Sequence, residues 1–260
     1  MTKPTATEIK ANIQGQDSAV WNQASQRPDG LDRFEADLAT AIATAWSEVV
    51  DGLVIASVPV TGGTSTPGGA LMGGIATLAP GTLASTASFT GIADKFSSSF
   101  PDGATPGLLA LVNAISQGIG QKFPLWASGY SAILTAIGGT CGWTPPAPPA
   151  NPTGTPGPWA GGSIKDFPLA GGSSIGDQEM SASSLEAAID LSADPSVLKQ
   201  NQNTLQPALR ELIKAISKGF ETTWNQWKSN TKISGGTGAG TASPPGGSIT
   251  TGAVTSPDIS

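Results

Sequence analysis

Ala114-Ile115-Ser116-Gln117-Gly118 recurs as Ala215-Ile216-Ser217-Lys218-Gly219, and the pair Ala41-Ile42 opens a third, looser version. Aligned on Ala-Ile, the three stretches stay in register downstream. Four residues after each Ile stands a large apolar side chain: Trp46, Ile119 or Phe220. Val50, Phe123 and Trp224 follow four residues later, then Leu53, Trp126 and Trp227 three beyond. Steps of three and four put these side chains on one stripe of a helix. A fixed recurrence at this scale marks an internal repeat. The three long helices begin near Phe34, Leu108 and Leu209, with Leu205 leading the stripe of the third. In the second, Gly118, Gly120 and Pro124 predict a kink or an early stop near Pro124.

A shorter helix precedes each long one. Thr7-Glu8-Ile9-Lys10-Ala11-Asn12-Ile13, Thr90 to Phe96, and Ser184 to Ile189 each start with a residue able to cap a first turn. Each then offers an i, i+4 apolar pair: Ile9/Ile13, Ile92/Phe96 and Leu185/Ile189. The connectors Arg27-Pro28-Asp29-Gly30 and Phe100-Pro101-Asp102-Gly103 are turn chemistry, and Asp194-Pro195 stands in the third. Two helices joined by so short a link predict a helical hairpin.

After each long helix the chain loses its charge. Gly52 to Ala93, Phe123 to Ile164 and Ile233 to Pro257 contain no Asp, Glu, Lys or Arg. They carry Gly62-Gly63 and Pro67-Gly68-Gly69, Pro156-Gly157 and Gly161-Gly162, and Gly235-Gly236 and Pro245-Gly246-Gly247. Short β-type runs such as Val54 to Val60 and Ser248 to Thr251 flank these turns, which predicts an irregular hairpin in each arm. The sequence therefore predicts an α+β chain, mainly α. It consists of three tandem helical-hairpin repeats, each followed by a Gly/Pro/Thr-rich extended arm with short β-segments. The repeats divide at 1–87, 88–181 and 182–260, and units this small are expected to share a core.

Charged residues are 12% of the chain, about half the usual quarter. The net charge of -6 disfavours nucleic acid as main partner. The absence of His removes Ser/His/Asp and Cys/His catalysis, and one cysteine, Cys141, makes no Cys/His metal cage. Asp32, Glu35 and Asp37 sit in the first turns of a helix, where acids complement its dipole on a solvated face. Arg210, Lys214 and Lys218 form a stripe expected to be solvated and paired with Glu211 or Glu221. The glycines match no phosphate-binding pattern. Nothing apolar follows Met1 as a secretory signal would require. Leu125 to Trp143 is uncharged but too broken by glycine for a membrane span. The reading is of a non-enzymatic chain with no cofactor and no metal.

The tryptophans are the outliers. Trp46, Trp126, Trp224 and Trp227 end the long helices, and Trp143 and Trp159 flank a Pro-rich loop, Thr144 to Pro158. The helical spacing of the first four fits core packing, and the loop pair either clamps the loop on the body or touches a partner. Aromatics at interface centres give a second reading. The candidates for contact with other chains are Trp126, Trp143, Trp159, Trp224, Trp227, Ile249 and Val254.

On Thr7-Glu8-Ile9-Lys10, Leu38 to Trp46, and Gly246-Gly247-Ser248-Ile249-Thr250-Thr251-Gly252, the unit resembles small structural proteins of tailed bacteriophages and related contractile particles. The resemblance implies a triplicated virion protein of neck, tail or baseplate, assembled in the host cytoplasm. Its implied partners are other virion proteins and copies of itself, and it implies no catalytic residues. A bacterial surface or secreted adhesive protein is the alternative. Arms that reach into neighbours also predict that removing residues 233–260 leaves the rest folded.

Overall fold

Thr5 starts the first helix with a reciprocal cap. Its Oγ1 accepts from the Glu8 N–H at 3.2 Å, and Glu8 Oε2 accepts from the Thr5 N–H at 2.7 Å. The Thr5 N–H, and after it the Thr5 hydroxyl, which donates to the same Glu8 oxygen at 2.8 Å, hold the Glu8 carboxyl below its ordinary pKa. Ser88 and Ser181 open the two equivalent segments, accepting from the N–H groups of Thr90 and Ser184. Each cap thus stands two or three residues upstream of the position read from sequence. The structure, a computed structural model, describes residues 3–20, 30–99, 105–135, 137–200, 204–205 and 207–260. Most of the turn string 27–30 and all of 100–103 lie outside these residues; Gly30 is described, with φ of 81°.

The elements fall within the three divisions read from the sequence as follows. The first repeat holds α1 (Ala6–Val20), α2 (Leu31–Asp51), β1 (Leu53–Ile55), β2 (Val58–Thr64), β3 (Gly69–Ala70), β4 (Met72–Leu78) and β5 (Leu83–Ser85). The second holds α3 (Ile92–Ser99), α4 (Pro106–Gly129), β6 (Tyr130–Thr135), β7 (Thr140–Cys141), β8 (Gly157–Pro168) and β9 (Ser173–Ser174). The third starts with α5 (Ala182–Ser192), α6 (Pro195–Leu198), β10 (Lys199–Gln200) and β11 (Thr204–Leu205). It ends with α7 (Pro207–Asn230), β12 (Lys232–Ser243), β13 (Ser248–Thr255) and β14 (Asp258–Ile259). Leu205 therefore belongs to a strand, not to the third long helix. Pro124 lies inside α4, which runs on past it to Gly129 without the early stop.

The helices do not pack as three separate hairpins. Each short helix lies closer to the long helix of the preceding repeat than to its own: α3 on α2, α5 on α4, and α1 on α7. The last of these contacts closes the ring. Two glycines show how tight it is. A Cβ on Gly118 would lie 2.6 Å from Ile189 Cγ1, and one on Gly219 would lie 2.7 Å from the Ile13 Cα. Ile189 and Ile13 are equivalent residues of α5 and α1, and Gly118 and Gly219 are equivalent residues of α4 and α7. At two seams of the ring the same small-for-large fit is used. Ion pairs and hydrogen bonds also cross the seams: Lys95 to Glu48 at 2.5 Å, and Asn12 Nδ2 to Thr223 Oγ1 at 2.9 Å. One apolar core draws on all three repeats, from Ile9 to Ile259.

The arms overturn the expectation of short β-segments on a repeat of helical hairpins. They join into one curled antiparallel sheet of ten strands, a half-barrel, in the order β3-β7-β8-β12-β13-β2-β4-β6-β9 with β14 beside β12. Each link joins one repeat to the next: β4 pairs with β6, β8 with β12, and β13 with β2. The two-residue alternation in β2 and β4 turns Val58, Val60, Ala76 and Leu78 inward, with Pro59, Ile75 and Thr77 outward. A lone hairpin of this kind has nothing to cover its apolar face. Pairing edge to edge supplies the cover and satisfies the backbone at the same time. Residues 233–260 form β12, β13 and β14, in the middle of this sheet, so that segment is not a detachable arm.

Substituting Gly219 tests the ring. Gly219→Val should cost on the order of 1–3 kcal/mol, because the new side chain meets the Ile13 backbone. Gly15→Ala, on an exposed helical position with nothing within 4 Å of the new Cβ, should gain about 0.5–1 kcal/mol. Urea denaturation midpoints of the two variants read both effects.

Candidate interface residues and the arm tips

The long helices end in an aromatic cluster to which every repeat contributes. Trp46 comes from the first, Phe123 and Trp126 from the second, and Phe220, Trp224 and Trp227 from the third. Ring centroids are 4.9 Å apart for Trp46 and Phe220, 4.6 Å for Trp126 and Trp224, and 5.8 Å for Trp46 and Trp224. Phe89, just before α3, bridges Trp46, Phe123 and Phe220. The Trp126–Trp224 pair is edge-to-face, at 88°. Such pairs are worth about 0.5–1.5 kcal/mol each beyond the area they bury. Among the described residues, the indole N–H groups of Trp46, Trp224 and Trp227 have no oxygen or nitrogen partner. Trp46 meets Trp227 nearly edge-on, at 71°, an arrangement in which π density can stand in for an acceptor.

All seven candidates for contact with other chains lie inside the chain, none more than 7% exposed. Trp126 donates through Nε1 to Asp177 Oδ1 at 3.0 Å, and Lys228 reaches the same oxygen at 3.3 Å. Trp224 and Trp227 belong to the aromatic cluster. Trp159 fills the inside of the sheet. Its Nε1 donates to the Gly138 carbonyl at 2.8 Å, and Gly162, Gly238 and Gly252 leave room for its ring. Ile249 and Val254 face Gly62 and Val58 across the β13–β2 ladder. These residues do make an interface, but it lies between repeats of one chain. Glu35 is likewise buried rather than on a solvated face, and accepts from Gln14 Nε2 at 2.9 Å. Lys214 pairs loosely with Glu211, at 3.9 Å on an exposed face.

Trp143 clamps the ends of the arms together. Its Nε1 donates to Ser65 Oγ at 3.1 Å, and Ser65 Oγ donates in turn to the Gly247 carbonyl at 3.0 Å. The Ser65 N–H donates to the Gly246 carbonyl at 2.7 Å. Tips near residues 65, 143 and 246, one from each repeat, therefore meet at one place. The second is the longest, and its loop is stitched by bridges between Thr144 and Thr155 and between Ala147 and Asn151. Most of that loop is exposed and none of it is charged.

Sequence reading missed one feature shared by all three arms. Gly138-Gly139-Thr140 matches Gly62-Gly63-Thr64 and Gly235-Gly236-Thr237. All six glycines have positive φ, from 70° to 90°. Only Gly adopts two such residues in succession at little cost. Gly62-Gly63 lie within β2 and Gly235-Gly236 within β12, Gly138-Gly139 separate β6 from β7, and the β12–β8 register shifts around Gly235. The Gly-Gly-Thr string was the available signal, masked by the nearby Gly161-Gly162.

Among the described residues no helix is long and apolar enough to cross a membrane. Leu125 to Trp143 is instead divided among α4, β6 and β7. Comparison with known proteins finds no match: no family model, no curated protein and no solved structure.

Tyr130, where α4 gives way to β6, offers a pH test. Burial, the dominant cause, raises its pKa above the ordinary 10, and its hydroxyl donates to the Leu169 carbonyl at 2.7 Å. The unfolded chain therefore loses this proton first as pH rises. The stabilisation is whole below pH 10 and declines above it. Tyr130→Phe should be less stable by about 1 kcal/mol at neutral pH, for the lost hydrogen bond. The gap should narrow above pH 10 in paired urea titrations.

Proposed function

We propose that the chain is a non-enzymatic structural component of a phage virion or phage-tail-like particle, in its neck, tail or baseplate. The observation that carries the reading is the closed cyclic order of the repeats. Helices pass from α2 to α3, α4 to α5 and α7 back to α1, and the strand pairings follow the same circuit. One chain thereby does the work of a trimer. Closed symmetric rings are the usual architecture of assemblies built from repeated subunits. A partner with three-fold or six-fold symmetry meets similar helix pairs around one axis, without needing three separate polypeptides.

The distribution of charge supports the same reading. Among the described residues charge lies on or near the helices and at the base of the arms, while the arm regions 52–93, 123–164 and 233–257 have none. Such a neutral end can touch a protein neighbour without desolvating ions. Other virion proteins and further copies of the chain are the partners that follow.

Quantitative mass spectrometry of purified particles tests this. The chain should be present at a fixed stoichiometry to the major tail and neck proteins. Recovery only from culture supernatant, away from particles, would replace the reading with a secreted or surface adhesive protein.

A further inference from the structure

We draw no further inference here: the strongest candidate, the row of exposed apolar side chains Met72, Ile75, Ile133 and Ile175 along β4, β6 and the turn after β9 with the groove beside it, carries nothing because nothing in the structure shows what covers it.

Discussion

Everything in this molecule depends on the short helix of one repeat pressing against the long helix of the one before it. At two seams the contact is an isoleucine backbone against a glycine: Ile189 on Gly118 and Ile13 on Gly219. At the third, Ala45 replaces the glycine and Phe96 replaces the isoleucine. Each such docking buries side chains worth about 1.5–3 kcal/mol apiece. No repeat keeps its own short helix as its main partner, so no repeat owns a complete core. An open array of repeats needs polar caps at its ends. Here α1 returns to α7 and there are no ends to cap.

Closing the helices in a ring brings three arms to one side, and the arms then solve their own problem by pairing in turn. The circuit is the same as that of the helices, but the registers differ. Val58 faces Val254 at one seam, Leu134 faces Ala76 at the next, and Ile233 faces Phe167 at the third. Helix docking tolerates no slip, because a single glycine decides where the backbones approach. A strand displaced by two residues still presents the same face. Three arms of unequal length can therefore join one sheet without breaking its alternation.

The aromatic residues show the cost of this closure for recognition. Six of the seven tryptophans are described, and all six are buried where repeats or arm tips meet. What is left for other molecules is the outer surface: neutral strands, the Pro-rich loop, and a flank of exposed isoleucines. In a pseudo-trimer, aromatic and bulky residues that would sit between subunits of a true trimer are drawn into a single core. Outward contacts then fall to smaller residues, which no pattern of periodicity singles out.

How much could be read from the chain follows from the range of the forces involved. The long helices were legible, because the spacing of Ile42, Trp46 and Val49 or of Phe220, Trp224 and Trp227 records burial within one element. The neutral stretches after the long helices were legible too, because charge is a property of the chain itself. Leu205 lies in a strand and α4 continues past Pro124, since neighbours in space outweigh local preference at such positions. Burial of Trp143 and Trp159, which their place beside a Pro-rich loop left open, came from other arms folding over them. The ten-stranded sheet was not legible at all: its pairings join residues as distant as Val58 and Val254, and backbone hydrogen bonds carry no side-chain signature of their partner. The sequence by itself determined the three amphipathic helices, their repeat, and where charge is absent. The tertiary structure alone decided that the repeats close on one another and that the arms become one sheet, because both are choices of partner among nearly equivalent surfaces.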